Sequence, residues 1–417
     1  MSSEPALTAP EPSASACGYF ACRDNMLQVG DSTVGELAAR AGGRPFYAYD
    51  SAIMTRIVGA LREALPERVT LHYAIKANPM PEVVGHIAGL TGGLDVASAR
   101  ELAVALGTGV RPHDISFAGP GKSMEDLRAG VDAGVIMVLE SATEARRVAA
   151  LAAERGVAAP CAVRVNPDFQ LRSSGMKMGG GAQPFGVDAE QVPQLLAELR
   201  GTSLDLRGFH IFSGSQNLRP EAIVETQRQT LDLAARLAPS LPDGLRWLNI
   251  GGGLGVPYFP GDRALDPAPI MDALADELGA FAPVLGDAEV VMELGRYLVA
   301  PAGIYVCEVT DKKTSRGTTY LVTNGGLHHH LAVTGNFGQV IRKNYPVLVA
   351  NRVEAAEHET VTIVGPLCTP LDLLGKDIAL PSAGPGDLIA VMMSGAYGYS
   401  ASPHRFLSHP EPVEFFL

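Results

Sequence analysis

A chain of 417 residues exceeds one average domain and has room for a barrel of roughly 250 residues beside a smaller unit. With 45 acidic against 33 basic side chains and a net charge of −12 it lacks the footprint of a nucleic-acid binder, and 47% hydrophobic residues exclude wholesale disorder. No run of about 18 apolar residues is available to span a membrane, and five cysteines (Cys17, Cys22, Cys161, Cys307, Cys368) without a CxxC pair indicate neither a disulfide framework nor a zinc site.

Residues 1–17 are rich in Ser, Pro and Ala and lack the basic start and apolar run of a signal peptide, so they read as a flexible tail on a cytoplasmic protein. Residues 18–45 read as an N-terminal segment that packs with a β domain. Within a barrel domain placed at 46–296, short apolar runs alternate with amphipathic stretches from 70 to 296. The runs are TLHYAIK (70–76), GLDVAS (93–98), ISFAG (115–119), VIMVLE (135–140), CAVRVNP (161–167), LRGFHIF (206–212), RWLNIG (246–251) and VVMELG (290–295). Between them MEDLRAGVDAG, SATEARRVAALAAERG and EAIVETQRQTLDLAARLA repeat apolar residues at helical spacing. Ser141 with Glu144 three residues on has the pattern of a capping box. Eight strand–helix units predict a closed (β/α)8 barrel, with an open doubly wound sheet as the alternative. After 296 the segments IYVCEVTDKK, TTYLVTN, VTIVG and DLIAVMMSG, parted by turn residues, predict a C-terminal β domain over 297–417. PFYAYD (45–50), ahead of the alternating region, is strand-like too, and the N-terminal segment is a candidate addition to that β domain.

Catalysis in a barrel belongs to the C-terminal ends of its strands. Unusual polar residues fall there: Lys76 ending the first run, Asp95 in the second, Arg164 in the fifth, His210 in the sixth, Gly251, Gly252 and Gly253 at the close of the seventh, Glu293 and Arg296 at the eighth. Taken singly each has an ordinary structural reading; the set on one mouth suits pyridoxal phosphate. A lysine at an apolar strand end is a competent Schiff-base nucleophile. Glycine amides lie open to a phosphate, an acid can keep a pyridine nitrogen protonated, and a histidine can stack on the ring.

HYAIKANP (72–79), LDVASARE (94–101), GFHIFSGSQ (208–216), NIGGGLG (249–255), ELGRYLV (293–299), GPLC (365–368) and SGAYG (394–398) resemble, in order, the fold type III pyridoxal-phosphate decarboxylases that act on ornithine, arginine and diaminopimelate. The resemblance runs from about residue 45 to the end. It implies a barrel with a β domain, and a homodimer whose active sites are shared between subunits. Position by position it implies Lys76 as the Schiff-base lysine, His210 against the ring and Glu293 at the pyridine nitrogen. Ser213, Gly252, Gly253, Gly295, Arg296 and Tyr397 match positions around the phosphate, and Asp95, Glu101 and Arg164 match supporting ones. Cys368, from the partner subunit, would protonate the carbanion.

The sequence departs from that family where the substrate is chosen. Thr369 stands where ornithine and diaminopimelate enzymes carry an acid after the cysteine, and Asn324 where ornithine enzymes have an aspartate. Asp372 is the acid left to compensate, and Arg342 is a candidate for a substrate carboxylate. GSQN, MKMGGG and GPLCTPLD look most like a subgroup that includes decarboxylases of a glutamyl group carried as a thioester on an acyl carrier protein. The expected substrate is therefore a free or carrier-linked amino acid, with α-decarboxylation in biosynthesis; a diamino-acid decarboxylase is the alternative. The net negative charge opposes an acidic carrier unless a local patch such as Lys312, Lys313 and Arg316 receives it. A racemase would set an arginine against the ring nitrogen, which Glu293 opposes, and a non-catalytic homologue would have lost Lys76 or Cys368. The Gly-rich stretch 173–186 reads as a lid or a plain loop. In His328–His330 neighbouring side chains of a strand point to opposite faces, so no metal is expected.

Overall fold

The computed structural model describes residues 18–417 apart from 170–175, 178, 338, 340 and 341, and of 176 and 177 only the backbone. The tail expected at 1–17 and part of the Gly-rich stretch therefore lie outside the described residues. The chain divides into two compact units, one of Val58–Gly255 and Leu265–Gly295, the other of Met1–Ile57, Val256–Ala264 and Arg296–Leu417.

The first unit is a closed barrel of eight parallel strands: β1 (Val69–Ala74), β2 (Gly93–Val96), β3 (Ile115–Phe117), β4 (Ile136–Leu139), β5 (Ala159–Asn166), β6 (Leu204–Ile211), β7 (Trp247–Gly252) and β8 (Glu289–Leu294). β8 pairs with β1 and β4 with β5, which closes the ring. A parallel strand covered on both faces reads as an unbroken apolar run, and all four residues of β4 are buried. Ile136, Ala162, Trp247 and Val291, from four different strands, meet in one buried cluster. The helices Met124–Ala133, Ala142–Arg155 and Pro220–Leu237 occupy the stretches expected for them. The cap at Ser141 is half a capping box. Its hydroxyl accepts the Glu144 amide at 3.1 Å, but the Glu144 carboxylate turns away to the Lys122 ammonium at 2.7 Å. A buried cation outcompetes one exposed backbone donor.

The second unit is built on a sheet in the order Val347–Val349, Leu388–Val391, Gly303–Ser315, Thr318–Thr323, His358–Val364, Leu373–Pro381. Phe46–Tyr49, strand-like in sequence but inside the 46–296 bounds given to the barrel, belongs to this sheet. It runs antiparallel to Gly303–Ser315 and parallel to Val413–Phe416. The boundary thus moves to Ile57/Val58. Four consecutive buried residues, with Phe46 edge-on to Phe415 and Tyr47 at 5.0 Å from Tyr305, suit a sheet centre as well as a barrel stave, and periodicity cannot tell them apart.

No helix of the described residues is long and apolar enough to cross a membrane, and among them no group of three or more His, Cys, Asp or Glu side chains is arranged to hold a metal ion.

Candidate active site

The barrel unit gathers its polar residues at the strand ends. Lys76 lies on the short 3-10 turn Ile75–Ala77 that follows β1, half-exposed, its Nζ 3.5 Å from Glu293 Oε1 and 5.7 Å from the Phe212 ring centre. Glu293, near the end of β8, is buried and its other oxygen accepts a hydrogen bond from His210 Nε2 at 3.0 Å. Burial opposes the charge on Glu293, but the Lys76 ammonium and the His210 bond outweigh it and hold the carboxyl well below the usual carboxylate range. His210, on β6, keeps Nδ1 without a partner among the described residues.

A layer beneath fixes these groups. Asp95 on β2 accepts from Ser116 Oγ at 2.6 Å and meets His72 Nδ1 at 3.1 Å; all three are buried. Burial pushes His72 toward neutrality, yet the Asp95 charge and hydrogen bond prevail and raise its pKa above the ordinary value. Glu101 accepts the Ala97 amide at 2.7 Å, and burial raises its pKa against that bond and the Lys76 charge. Arg164 on β5 is buried, donates to Glu140 Oε1 at 2.8 Å and lies 4.8 Å from the Phe185 ring centre. Glu140 also receives the Gly119 and Gly186 amides at 2.6 and 3.1 Å. The described end of the Gly-rich stretch is thereby tied to the barrel.

Beside this cluster lie buried hydroxyls and closely packed glycines. The Ser213 and Ser215 hydroxyls are buried and have no hydrogen-bond partner among the described residues. Gly251 and Gly253 take φ of +69° and +87°, and a Cβ on Gly253 would come within 2.9 Å of the Gly214 carbonyl. Only glycine holds that backbone without strain. Gly252 is closed to any side chain, since a Cβ there would meet the Glu293 carbonyl. Gly295 is likewise tight against Ala77. Unpaired hydroxyls beside a run of glycine amides are what a phosphate requires, and a buried acid with a lysine beyond it is what a pyridine aldehyde requires. The residues present therefore fit pyridoxal phosphate.

The other expected residues lie in the β unit. The Arg296 guanidinium is 4.9 Å from the Tyr397 ring centre and 5.5 Å from that of Tyr258. Tyr397 has φ of 56°, an uncommon backbone for a bulky side chain. Cys368 is an exposed free thiol. Thr369 Oγ1 accepts the Leu371 amide at 3.3 Å. Asp372 is buried, and its two oxygens accept the Leu327 and Leu367 amides at 2.6 and 2.8 Å, so it braces two loops. The Asn324 side chain bridges the Gly43 carbonyl and the Glu308 amide at 2.8 and 2.9 Å. Arg342 reaches Asn344 Oδ1 at 2.7 Å and the Leu373 carbonyl at 3.2 Å. Of the suggested carrier patch, Lys312 is paired with Glu359 at 2.5 Å.

Sequence reasoning missed His72, Glu140 and Ser215. Glu140 had a signal, a carboxylate ending the apolar run VIMVLE; Ser215 had none beyond its neighbourhood.

Comparison with known proteins agrees with this chemistry. Residues 52–300 match the family model for the pyridoxal-dependent decarboxylase, pyridoxal binding domain. The chain is 36% identical over 376 residues to the L-glutamyl-[BtrI acyl-carrier protein] decarboxylase of Niallia circulans, covering 89% of this chain and 88% of that one. It is 31% identical over 392 residues to the diaminopimelate decarboxylase of Archaeoglobus fulgidus, covering 92% and 90%. The crystal structure of diaminopimelate decarboxylase from Helicobacter pylori complexed with L-lysine superposes with a TM-score of 0.81 at 26% identity, over 92% of this chain and 94% of that one.

Proposed function

This chain belongs to the pyridoxal-dependent decarboxylases of the ornithine, arginine and diaminopimelate type, and from that premise we propose that it α-decarboxylates a glutamyl group carried as a thioester on an acyl carrier protein. The α-carboxylate must be free to leave, so the thioester is formed at the side-chain carboxyl. Such a substrate has no charge at its far end.

The observation that carries this reading is the absence of a free acid at the positions where a distal ammonium would be met. Thr369 and Asn324 are uncharged, and both oxygens of Asp372 are engaged by backbone amides. An ammonium buried there without a partner would cost several kcal/mol. The relative that acts on a carrier-linked glutamyl group is also the more similar of the two curated relatives described above.

Bound pyridoxal phosphate supplies the electron sink for the pair released as carbon dioxide departs. Lys76 is the residue that holds the cofactor covalently. Glu293, kept ionised by its surroundings, holds a proton at the pyridine nitrogen. His210 orients the ring, while Ser213, Gly252 and Gly253 hold the phosphate, with Arg296 and Tyr397 assigned to it by resemblance. Cys368 delivers a proton to the substrate α-carbon. That assignment goes with a homodimer whose sites are shared, supported by the exposure of Cys368 and of Leu371, 57% exposed close by. A cytoplasmic location accompanies a carrier-bound substrate.

The test is carbon dioxide release by the cofactor-loaded protein from ornithine, lysine, arginine, meso-diaminopimelate, glutamate and a γ-glutamyl carrier thioester. Turnover of the thioester alone is expected. Turnover of a diamino acid at a comparable rate would overturn the substrate.

A further inference from the structure

Three cations of the β unit stand together without neutralising partners. Arg342, Lys343 and Lys376 line one open depression with Pro260, Asn344 and Asp377. None of the three makes an ion pair with a described residue, in a chain whose acids outnumber its bases by 45 to 33. Arg342 keeps a buried Nε with no hydrogen-bond partner among the described residues. Asn344 fastens the group: its Oδ1 accepts from Arg342 Nη1 at 2.7 Å and from the Lys376 amide at 3.0 Å, and its Nδ2 donates to the Lys376 carbonyl at 2.7 Å. Asp377, the one acid among the described lining residues, is turned toward the Thr362 hydroxyl at 3.4 Å. Cations held side by side without a counter-charge are costly unless an anion joins them.

The depression also connects to the residues assigned to the cofactor. The Lys343 ammonium lies 5.4 Å from the Phe259 ring centre; Phe259 is 6.1 Å from Tyr258, and Tyr258 is 5.5 Å from the Arg296 guanidinium. Three ring contacts thus separate these cations from Arg296, a gap that a pantetheine arm can bridge.

We propose that this depression binds the phosphodiester of the pantetheine arm on the carrier. The inference rests on the carrier-linked substrate proposed above, and it adds the place where the arm is gripped and the group that is recognised. Lys312–Lys313–Arg316, the patch suggested by sequence, is weaker for this role because Glu359 already neutralises Lys312.

Binding of 4′-phosphopantetheine and of pantetheine to the cofactor-loaded protein, measured by calorimetry, tests the anion site without turnover. The phosphorylated arm is expected to bind about tenfold tighter, and K343E/K376E to erase the difference. Both lysines are exposed, and an unchanged melting curve with retained cofactor absorbance shows that the variant is folded. Equal binding of the two arms, or an undiminished preference in K343E/K376E, overturns the proposal, as does equal binding of the carrier with and without its arm. Turnover of the carrier thioester with a KM unaffected by K343E/K376E would sink the grip and leave the substrate assignment standing. A phosphate preference without any thioester turnover would support the anion site and sink the substrate.

Discussion

Glu293 is held as an anion by a lysine and a histidine, and its worth to the enzyme lies in that charge. Glu293→Gln keeps the shape and removes it, so kcat should fall on the order of 10²-fold, read by steady-state carbon dioxide release. Asp372 has a different kind of importance. Replacing it by Asn sets an amide against two backbone donors; unfolding in urea should show a loss of about 1–3 kcal/mol. The histidines His328, His329 and His330 are buried, and burial leads the causes that lower their pKa values to about 4, about 3 and about 3. The unfolded chain takes up protons near pH 6.5, so below that pH it binds protons that the folded chain refuses. Stability should fall as the pH drops from 6.5 to about 4, and further to about 3, where these groups charge in the folded state as well. Melting curves between pH 7 and 4 check this, and His328→Gln should flatten the trend. Lys76, His210 and Glu293, which the barrel brings together, are legible in sequence because an odd polar side chain at a strand end stands out. His72 is not, because a histidine one turn of the pleat earlier looks like any core residue.

At the scale of elements, each barrel strand was legible from its apolar run, and the failures have local causes. Leu373–Pro381 escaped because Gly375, Lys376 and Asp377 interrupt it. It is an edge strand with shifted register opposite Val361 to Val364, and Asp377 takes φ of 52°. Bulges and charges are how edges are protected, and they erase the alternation by which strands are read. The helix cap at Ser141 forms only half of the expected box for a comparable reason: its acid serves a tertiary partner. Glu144 and Lys122 form a pair buried on both sides. Glu144→Gln should therefore cost about 3–5 kcal/mol by leaving an unpaired buried ammonium, against about 1 kcal/mol for Ser141→Ala, which loses one cap. Urea titrations of the two variants would rank them.

For the whole molecule, the shared sites proposed above would make activity a property of the assembly. Lys76→Ala and Cys368→Ala should each be inactive, and mixing the two after dissociation should restore turnover, because mixed dimers carry one intact site. No recovery, with dimers present in sedimentation, would count against Cys368 acting across subunits. The division of the chain has another consequence. The barrel unit is complete in sequence by residue 295, whereas the β sheet that begins at Phe46–Tyr49 closes with Val413–Phe416, and the Ser51 amide waits for the Leu417 carbonyl at 2.8 Å. On the ribosome residues 46–49 emerge early and their partner strands come only after every barrel strand has been made. The barrel is then the unit able to fold during synthesis. Four buried aromatic and apolar side chains, Phe46 to Tyr49, meanwhile remain uncovered, which makes this short segment the place where a chaperone would first be needed.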